Sequence, residues 1–308
     1  MRAPPTPPPI AAAELPLVRS RTLGRFRLHA LEAGLQRLDG GAMFGVVPRP
    51  LWEKRIPPDA RNRIPLALRC LLVETPDALV LVETGLGGKE NERFRELYGV
   101  DNASAAAAPD RLHDAVRAAG FSPDDVGVVV NTHLHFDHAG GNTYFDADGA
   151  VELAFPHARY HVQAGEWEWA HRANERTQAS YLPHNYEPVQ VAGRLQLLEG
   201  TTEILPGVSV FLTPGHCPFH QSVLLRSGEE TACYLGDVIP TFAHLPLPWI
   251  MGYDVEPLRT LEAKRALLRR AVAERWLLVS VHDPATPWGY VHGEERRAEL
   301  SAEAAPGA

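Results

Sequence analysis

The sequence predicts a mixed α/β fold, and three observations carry that expectation. Short β-branched or apolar runs alternate with helical patterns through most of the chain. The earliest two runs are joined by a tight turn, so part of the sheet is antiparallel. Several later runs end in a histidine or an aspartate, as strands do when they deliver side chains to one edge of a sheet.

Taken in order, PLALRCLLVE (65–74) and ALVLVETG (78–85) flank Thr75-Pro76-Asp77 and read as a hairpin. An amphipathic helix is expected over 110–119, closed by Gly120 as a C′ glycine. Ser122 is placed to cap the next turn, with Pro123 at its first helical position. VGVVVN (126–131) follows as a strand. Further strands are expected at 158–162, 208–213, 222–226, 232–236 and 276–281. The longest helix is expected over 257–275, with Pro257 in its first turn and Leu258, Leu261, Leu268 and Val272 near one face.

Composition narrows the function. The 308 residues are 45% apolar, enough for one large domain with a sizeable core. Thirty basic residues against 38 acidic ones give a formal charge of −8, which disfavours nucleic acid as a partner. Cys70, Cys217 and Cys233 show no CxxC spacing and suit a reducing cytoplasm. No apolar run approaches the roughly 18 residues of a membrane span. Residues 1–19 are expected to be a disordered, proline-rich tail without a secretory apolar core, and 295–308 a flexible tail. A cytoplasmic protein acting on a small molecule, without a membrane partner, is the expectation; a homodimer is compatible with it.

The chemistry concentrates in NTHLHFDHAGG (131–141), which places His133, His135, Asp137 and His138 within six positions. So many imidazoles and a carboxylate have no packing benefit together, and they form a ligand set suited to zinc and neighbouring metals. Gly140-Gly141 lets the backbone turn closely after them. His216 follows the run at 208–213 through Pro214-Gly215, Asp237 follows ACYLG, and His282 follows WLLVSV. Seven ligands converging from strand ends are enough for two metals with room left for water.

The motifs HLHFDHAGG, TPGHCPFH, LGD and VSVHD, in that order, resemble the metallo-β-lactamase superfamily, and ALVLVETGLG is similar to that family's early strand. The resemblance implies an αββα sandwich over residues 20–294, with a dinuclear site at one edge. It implies that His133, His135 and His216 bind one metal, that Asp137, His138 and His282 bind the other, and that Asp237 bridges them. Two divalent ions are expected, zinc before iron or manganese, with Asp137 and Asp237 as the catalytic acids. A hydroxide shared by the ions would attack an ester or lactone carbonyl, since coordination lowers the pKa of water toward about 7. Phosphotriesters, thioesters and β-lactams need the same metals. Oxidation of a sulfur substrate at a single iron is the rival from another class, and the complete second ligand set opposes it.

Three departures are visible. Glu83 stands where the family usually has aspartate and is expected to orient a ligand from behind. Cys217 stands where threonine is frequent and is expected to be a buried thiol. Position 135 is histidine, where the redox di-iron branch has glutamate. Around the site, residues 142–195 are rich in aromatic side chains, including Trp167 and Tyr181, and AGEWEWAHRANERT within them could be a helix. This stretch could be a substrate wall or ordinary packing. Met43 and Phe44 are expected at the tip of a mobile loop (40–58), which the resemblance to lactonase-like and organophosphate-hydrolase-like members places over the metals. His157, His161, His171, His184 and His220 are left over, for surfaces or supporting positions.

Overall fold

A computed structural model describes residues 11–293 and 299–301. The first sheet runs in the order β1 (Val18–Leu23), β2 (Phe26–Asp39), β3 (Arg63–Glu74), β4 (Leu79–Val82), β5 (Val126–Val130), β8 (Arg159–Gln163) and β9 (Leu195–Leu198), with β6 (Thr143–Phe145) and β7 (Val151–Leu153) forming a separate ribbon. The second runs β10 (Thr202–Leu205), β11 (Val208–Leu212), β12 (Gln221–Ser227), β13 (Glu230–Tyr234), β14 (Leu277–Val279), β15 (Trp288–His292) and β16 (Glu299–Ser301). Between strands lie α1 (Gly40–Phe44), α2 (Arg49–Trp52), α3 (Glu92–Leu97), α4 (Arg111–Ala118), α5 (Phe136–Ala139), α6 (Ala164–Ala170), α7 (Glu187–Val191) and α8 (Pro257–Ala273).

Strand alternation builds the layers. Leu71 and Val73 of β3 and Val128 and Val130 of β5 face inward onto Val210, Val223, Tyr234 and Val279 of the second sheet. Their neighbours Cys70, Leu72 and Val129 face outward, beneath Leu112, Ala115 and Val116 of α4. On the far side Leu224, Cys233 and Leu278 lie beneath Leu267, Leu268 and Ala271 of α8. Strands buried on both faces read as unbroken apolar runs, which is why β4 and β5 are LVLV and VGVVV. The result is the αββα sandwich.

Direction positions the site. Strands β4, β5, β8 and β9 are mutually parallel, and β13 is parallel to β14. Antiparallel pairing of β11 with β12 and of β12 with β13 turns β11 the same way as β13. The segments leaving β5, β11, β13 and β14 therefore emerge at one edge.

The expected hairpin forms, with Glu74 opposite Leu79. Asp110 caps α4, and Ser122 caps a 3-10 turn that begins at Pro123. Other expectations need correction. Leu258 is 76% exposed and Val272 37%; the buried stripe of α8 is Thr260, Lys264, Leu267, Leu268 and Ala271. Lys264 can occupy it because its Nζ donates to the carbonyls of Pro246 (2.8 Å) and Trp249 (2.9 Å). Of the expected N-terminal tail, residues 1–10 lie outside the described residues, but Ala12 is buried and its carbonyl accepts from Arg111 Nη2 at 2.8 Å. In the expected C-terminal tail, Glu299–Ser301 is a strand on β15; residues 295–298 and 302–308 lie outside the described residues. Residues 142–195 are no single excursion, because β8 within them is a strand of the first sheet. Among the described residues no helix is long and apolar enough to cross a membrane.

Candidate metal centre

The loop after β5 is fixed from below by Glu83, which is buried and holds an unusual backbone φ of 64°. A non-glycine residue there costs about 1–3 kcal/mol and persists only where its surroundings enforce it. Here they do. Glu83 Oε1 accepts from Thr132 N at 3.0 Å and from the Thr132 hydroxyl, and lies 3.3 Å from His138 Nδ1. The loop then passes close over neighbouring backbone. A Cβ on Gly140 would lie 2.1 Å from the Leu86 carbonyl oxygen, and one on Gly141 2.1 Å from that of Thr84. That is why the sequence carries two glycines after the histidines.

Hydrogen bonds on one ring nitrogen determine what the other presents. The Thr132 hydroxyl donates to Glu83, so it accepts from His133 Nδ1 (2.9 Å); His133 Nε2 is then a bare lone pair, buried and without a hydrogen-bond partner. His282 Nδ1 donates to the Ala67 carbonyl (2.7 Å), His138 Nδ1 faces Glu83, and the two Nε2 atoms face each other at 3.3 Å. His216 Nδ1 faces Asp254 Oδ1 at 2.9 Å, and its Nε2 lies 3.1 Å from His135 Nδ1. The facing ring nitrogens of each pair are close enough to share a cation, whether a proton or a metal ion.

The spacings fit one. Tetrahedral zinc with nitrogen ligands at 2.0–2.1 Å separates those nitrogens by about 3.3 Å. Donor atoms of His133, His135 and His216 lie within 4.8 Å of one another, as do those of Asp137, His138 and His282. Asp237 stands between the groups, with Oδ1 3.2 Å from His282 Nε2 and 3.5 Å from His138 Nε2, and Oδ2 3.3 Å from His216 Nε2. Glu83 also groups with His133 and His138, but its oxygens are engaged by the loop it supports.

The electrostatics agree. Burial, then the neighbouring imidazoles, holds His133 and His135 well below the ordinary histidine range, so both are neutral and free to donate lone pairs. At His138 burial acts in the same direction but is outweighed by Asp237, Asp137 and Glu83, which hold it well above that range. Burial would raise Asp237, but His138, His282 and His216 hold its carboxyl well below the usual value. Carboxylates that favour a proton on His138 favour a divalent cation there as well.

Several supports carried no sequence signal. Gln36 of β2 donates through Nε2 to Asp137 Oδ2. Asp254, in the turn before α8, holds His216. His220 had a weak signal, four residues after His216. Its Nε2 accepts from Asp237 N at 2.9 Å and its Nδ1 meets Thr213 Oγ1 at 2.8 Å; burial pushes its pKa down to about 3, so it stays neutral and fixes the Asp237 backbone. Cys217 is buried beside His216, and burial raises its thiol.

A cavity of 430 Å³ opens onto His135, Asp137, His216, Asp237 and His282. One wall is apolar, with Leu66, Met43 and Met251; the other comes from the segment after β8, with Trp169, Arg176, Thr177, Ser180 and Tyr181. Met43 and Tyr181 are among the cavity's lining residues. Phe44 and Trp167 do not line the cavity. Phe44 is fully buried, stacked on His244 with ring centroids 4.4 Å apart, and Trp167 packs on His171 at 4.5 Å and Tyr186 at 5.6 Å. Residues 40–44 are a packed helix, and His244 Nε2 donates to its Met43 carbonyl at 2.9 Å; the exposed large apolar residues of the 40–58 segment are Val46 and Leu51. Only Ala164–Ala170 of AGEWEWAHRANERT is α-helical.

A family model described as the metallo-beta-lactamase superfamily matches residues 64–282. An N-acyl homoserine lactonase of Bacillus thuringiensis is 32% identical over 175 residues, which cover 55% of this chain and 62% of that protein. The N-acyl homoserine lactonase AttM of Rhizobium radiobacter is 30% identical over 181 residues, 56% of this chain and 63% of that one. The chain thus spans less than two thirds of the length of these relatives. Among solved structures, a probable metal-dependent hydrolase from Staphylococcus aureus superposes with a TM-score of 0.82 at 28% identity, covering 92% of this chain and 99% of that one. AidC, a dizinc quorum-quenching lactonase in complex with a product, superposes with a TM-score of 0.75 at 20% identity, covering 94% of this chain and 98% of that one, a likeness of fold.

Proposed function

Because the chain belongs to the metallo-β-lactamase superfamily, we propose that it is a dinuclear metal-dependent hydrolase of lactones and related esters. The observation that carries this reading is the convergence of five imidazoles and two carboxylates around His133 Nε2 and Asp237 Oδ1, which are buried without a hydrogen-bond partner. His133, His135 and His216 would hold one ion, Asp137, His138 and His282 the other, and Asp237 would touch both. Imidazole and carboxylate donors at these spacings favour zinc over softer or larger ions. Two ions bound here would supply an acidified water and polarise the scissile carbonyl.

The chain's own residues do the rest. Gln36, Glu83, Asp254 and His220 hold the donors in place, so little reorganisation is left to the reaction. Leu66, Met43 and Met251 exclude water from one side of the cavity and offer an apolar surface to an acyl arm. Trp169 and Tyr181 add aromatic surface to the lining, and Ser180 adds a hydroxyl-bearing side chain. The lactonase relatives favour a lactone over the other carbonyl and phosphoryl substrates that such a site can serve.

Elemental analysis combined with a substrate panel tests the proposal. Gently purified protein should carry about two transition-metal ions per chain and act on lactones faster than on aryl esters, phosphotriesters, thioesters or a chromogenic β-lactam. A reproducible single ion with full activity would rule out the dinuclear reading. Lactone turnover no faster than buffer would rule out the substrate class.

A further inference from the structure

Glu166 of α6 is completely buried and stands outside the proposed ligand set. Enclosing a carboxyl is costly unless its oxygens are satisfied. Its Oε1 accepts from Leu134 N at 3.1 Å and from the Tyr181 hydroxyl at 2.9 Å, while its Oε2 has no hydrogen-bond partner. Burial pushes its pKa up to about 7, against the bonds from Leu134 and Tyr181, with the Cys217 thiol close by. These neighbours belong to three different segments. Leu134 lies between His133 and His135, Cys217 follows His216, and Tyr181 lines the cavity with its ring edge-on to His135, centroids 4.7 Å apart. Topology explains the meeting: β5 and β8 are parallel neighbours, so the histidine loop and α6 leave the sheet side by side.

We propose that Glu166 is a positioning residue for the three-histidine end of the site, which fixes the Leu134 peptide and the Tyr181 ring and so sets the directions of His133 and His135. The inference rests on the metal-centre reading above. Rotation of the Leu134 peptide would swing the histidines on both sides of it, and the Leu134 N–H is the group that Glu166 holds. Tyr181, held by the same oxygen, closes the cavity face of His135. A divalent ion on the three histidines would supply the positive charge that this enclosed carboxyl otherwise lacks.

Cobalt binding by metal-free full-length protein, read by chelator competition and visible absorption, tests the assignment without reference to turnover. Glu166→Met keeps the side-chain length and removes the acceptor; Glu166→Gln keeps Oε1. The Met variant should bind Co²⁺ about 10–100-fold more weakly and show a shifted spectrum, whereas the Gln variant should retain most of the affinity and the parent spectrum. Equal affinity and spectrum in the Met variant would overturn the proposal, as would a Gln variant as weak as Met. Hydrogen exchange in the unsubstituted metal-free protein provides a measurement that no misfolded variant can obscure. The Leu134 amide should be strongly protected, and fast exchange there overturns the role. Parent protein that takes up no Co²⁺ would instead refute the metal-centre reading itself.

Discussion

His133, His135 and His216 are supported mainly by loops, whereas Asp137, His138 and His282 are supported by the first sheet. At the second end Gln36 lies in β2, Ala67 in β3 and Glu83 just past β4, and each holds one donor. At the first end Thr132 is part of the ligand loop itself, and Asp254 reaches His216 from a turn. That turn rests on α1 through Gly252 N to the Ala42 carbonyl (2.8 Å), and α1 rests in turn on His244. His135 is also less buried than the other four candidate ligand histidines. The difference suggests a division of labour: a rigid end built into the sheet, and an end facing the cavity whose geometry depends on the walls around it.

The largest effect should come from the residue that belongs to both ends. Asp237→Ala should lose at least one ion and more than the about 100-fold in turnover that loss of a supporting partner costs, while circular dichroism stays that of a folded protein. Retention of both ions at a near-normal rate would mean that another acid holds the pair.

Next in size, Asp254→Ala should weaken metal binding at the three-histidine end by about 10–100-fold. Gln36→Ala should cost less, because Asp137 keeps its place in a loop anchored by Glu83. Chelator competition on the two variants gives the ratio directly, and equal losses would break the comparison.

A smaller effect is expected from acid acting on the wall behind Asp254. Burial pushes the pKa of His244 down to about 3, below an unfolded value of about 6.5. Its contribution to stability is therefore complete above about pH 6.5 and is lost as pH falls toward 3. By pH 5 the loss is about 2 kcal/mol. Urea unfolding of the metal-free protein between pH 7 and 5 should show this slope added to that of the other buried neutral histidines, and His244→Gln should reduce the total by about 2 kcal/mol over that range. An unchanged slope in that variant would assign the acid sensitivity elsewhere.

The smallest effect belongs to Cys217→Ser. The thiol is buried beside His216 but the donor set is complete without it, so metal content should be nearly unchanged. Loss of an ion would make Cys217 a ligand and redraw the first end.

The chain alone specified most of what is local. Unbroken apolar runs mark strands that are buried on both faces, and residues immediately past them mark the sheet edge, so the strands leading to the site and all seven candidate ligands were legible. Helix α4, with its capping aspartate and closing glycine, was legible for the same reason: its signals lie within a few residues of one another. Strand β2 escaped notice because its apolar face is interrupted by His29, Glu32 and Gln36, whose burial is compensated only by distant partners, such as Arg69 for Glu32 and Asp137 for Gln36. The buried face of α8 was misjudged for a related reason, since Lys264 is tolerated there only through carbonyls of a loop that sequence periodicity does not register. The supports of the metal centre fall in the same class. Gln36, Glu166 and Asp254 are separated in sequence from Asp137, Leu134 and His216, which they hold, by 101, 32 and 38 positions. Side-chain periodicity reports which face of an element is apolar, but only packing brings a polar group to its partner. Phe44 and Trp167 make the same point for the cavity: an aromatic residue near a site in sequence can face it or turn from it. Stacking on His244 turns Phe44 away, and Trp167, packed on His171 and Tyr186, leaves the cavity wall to Trp169.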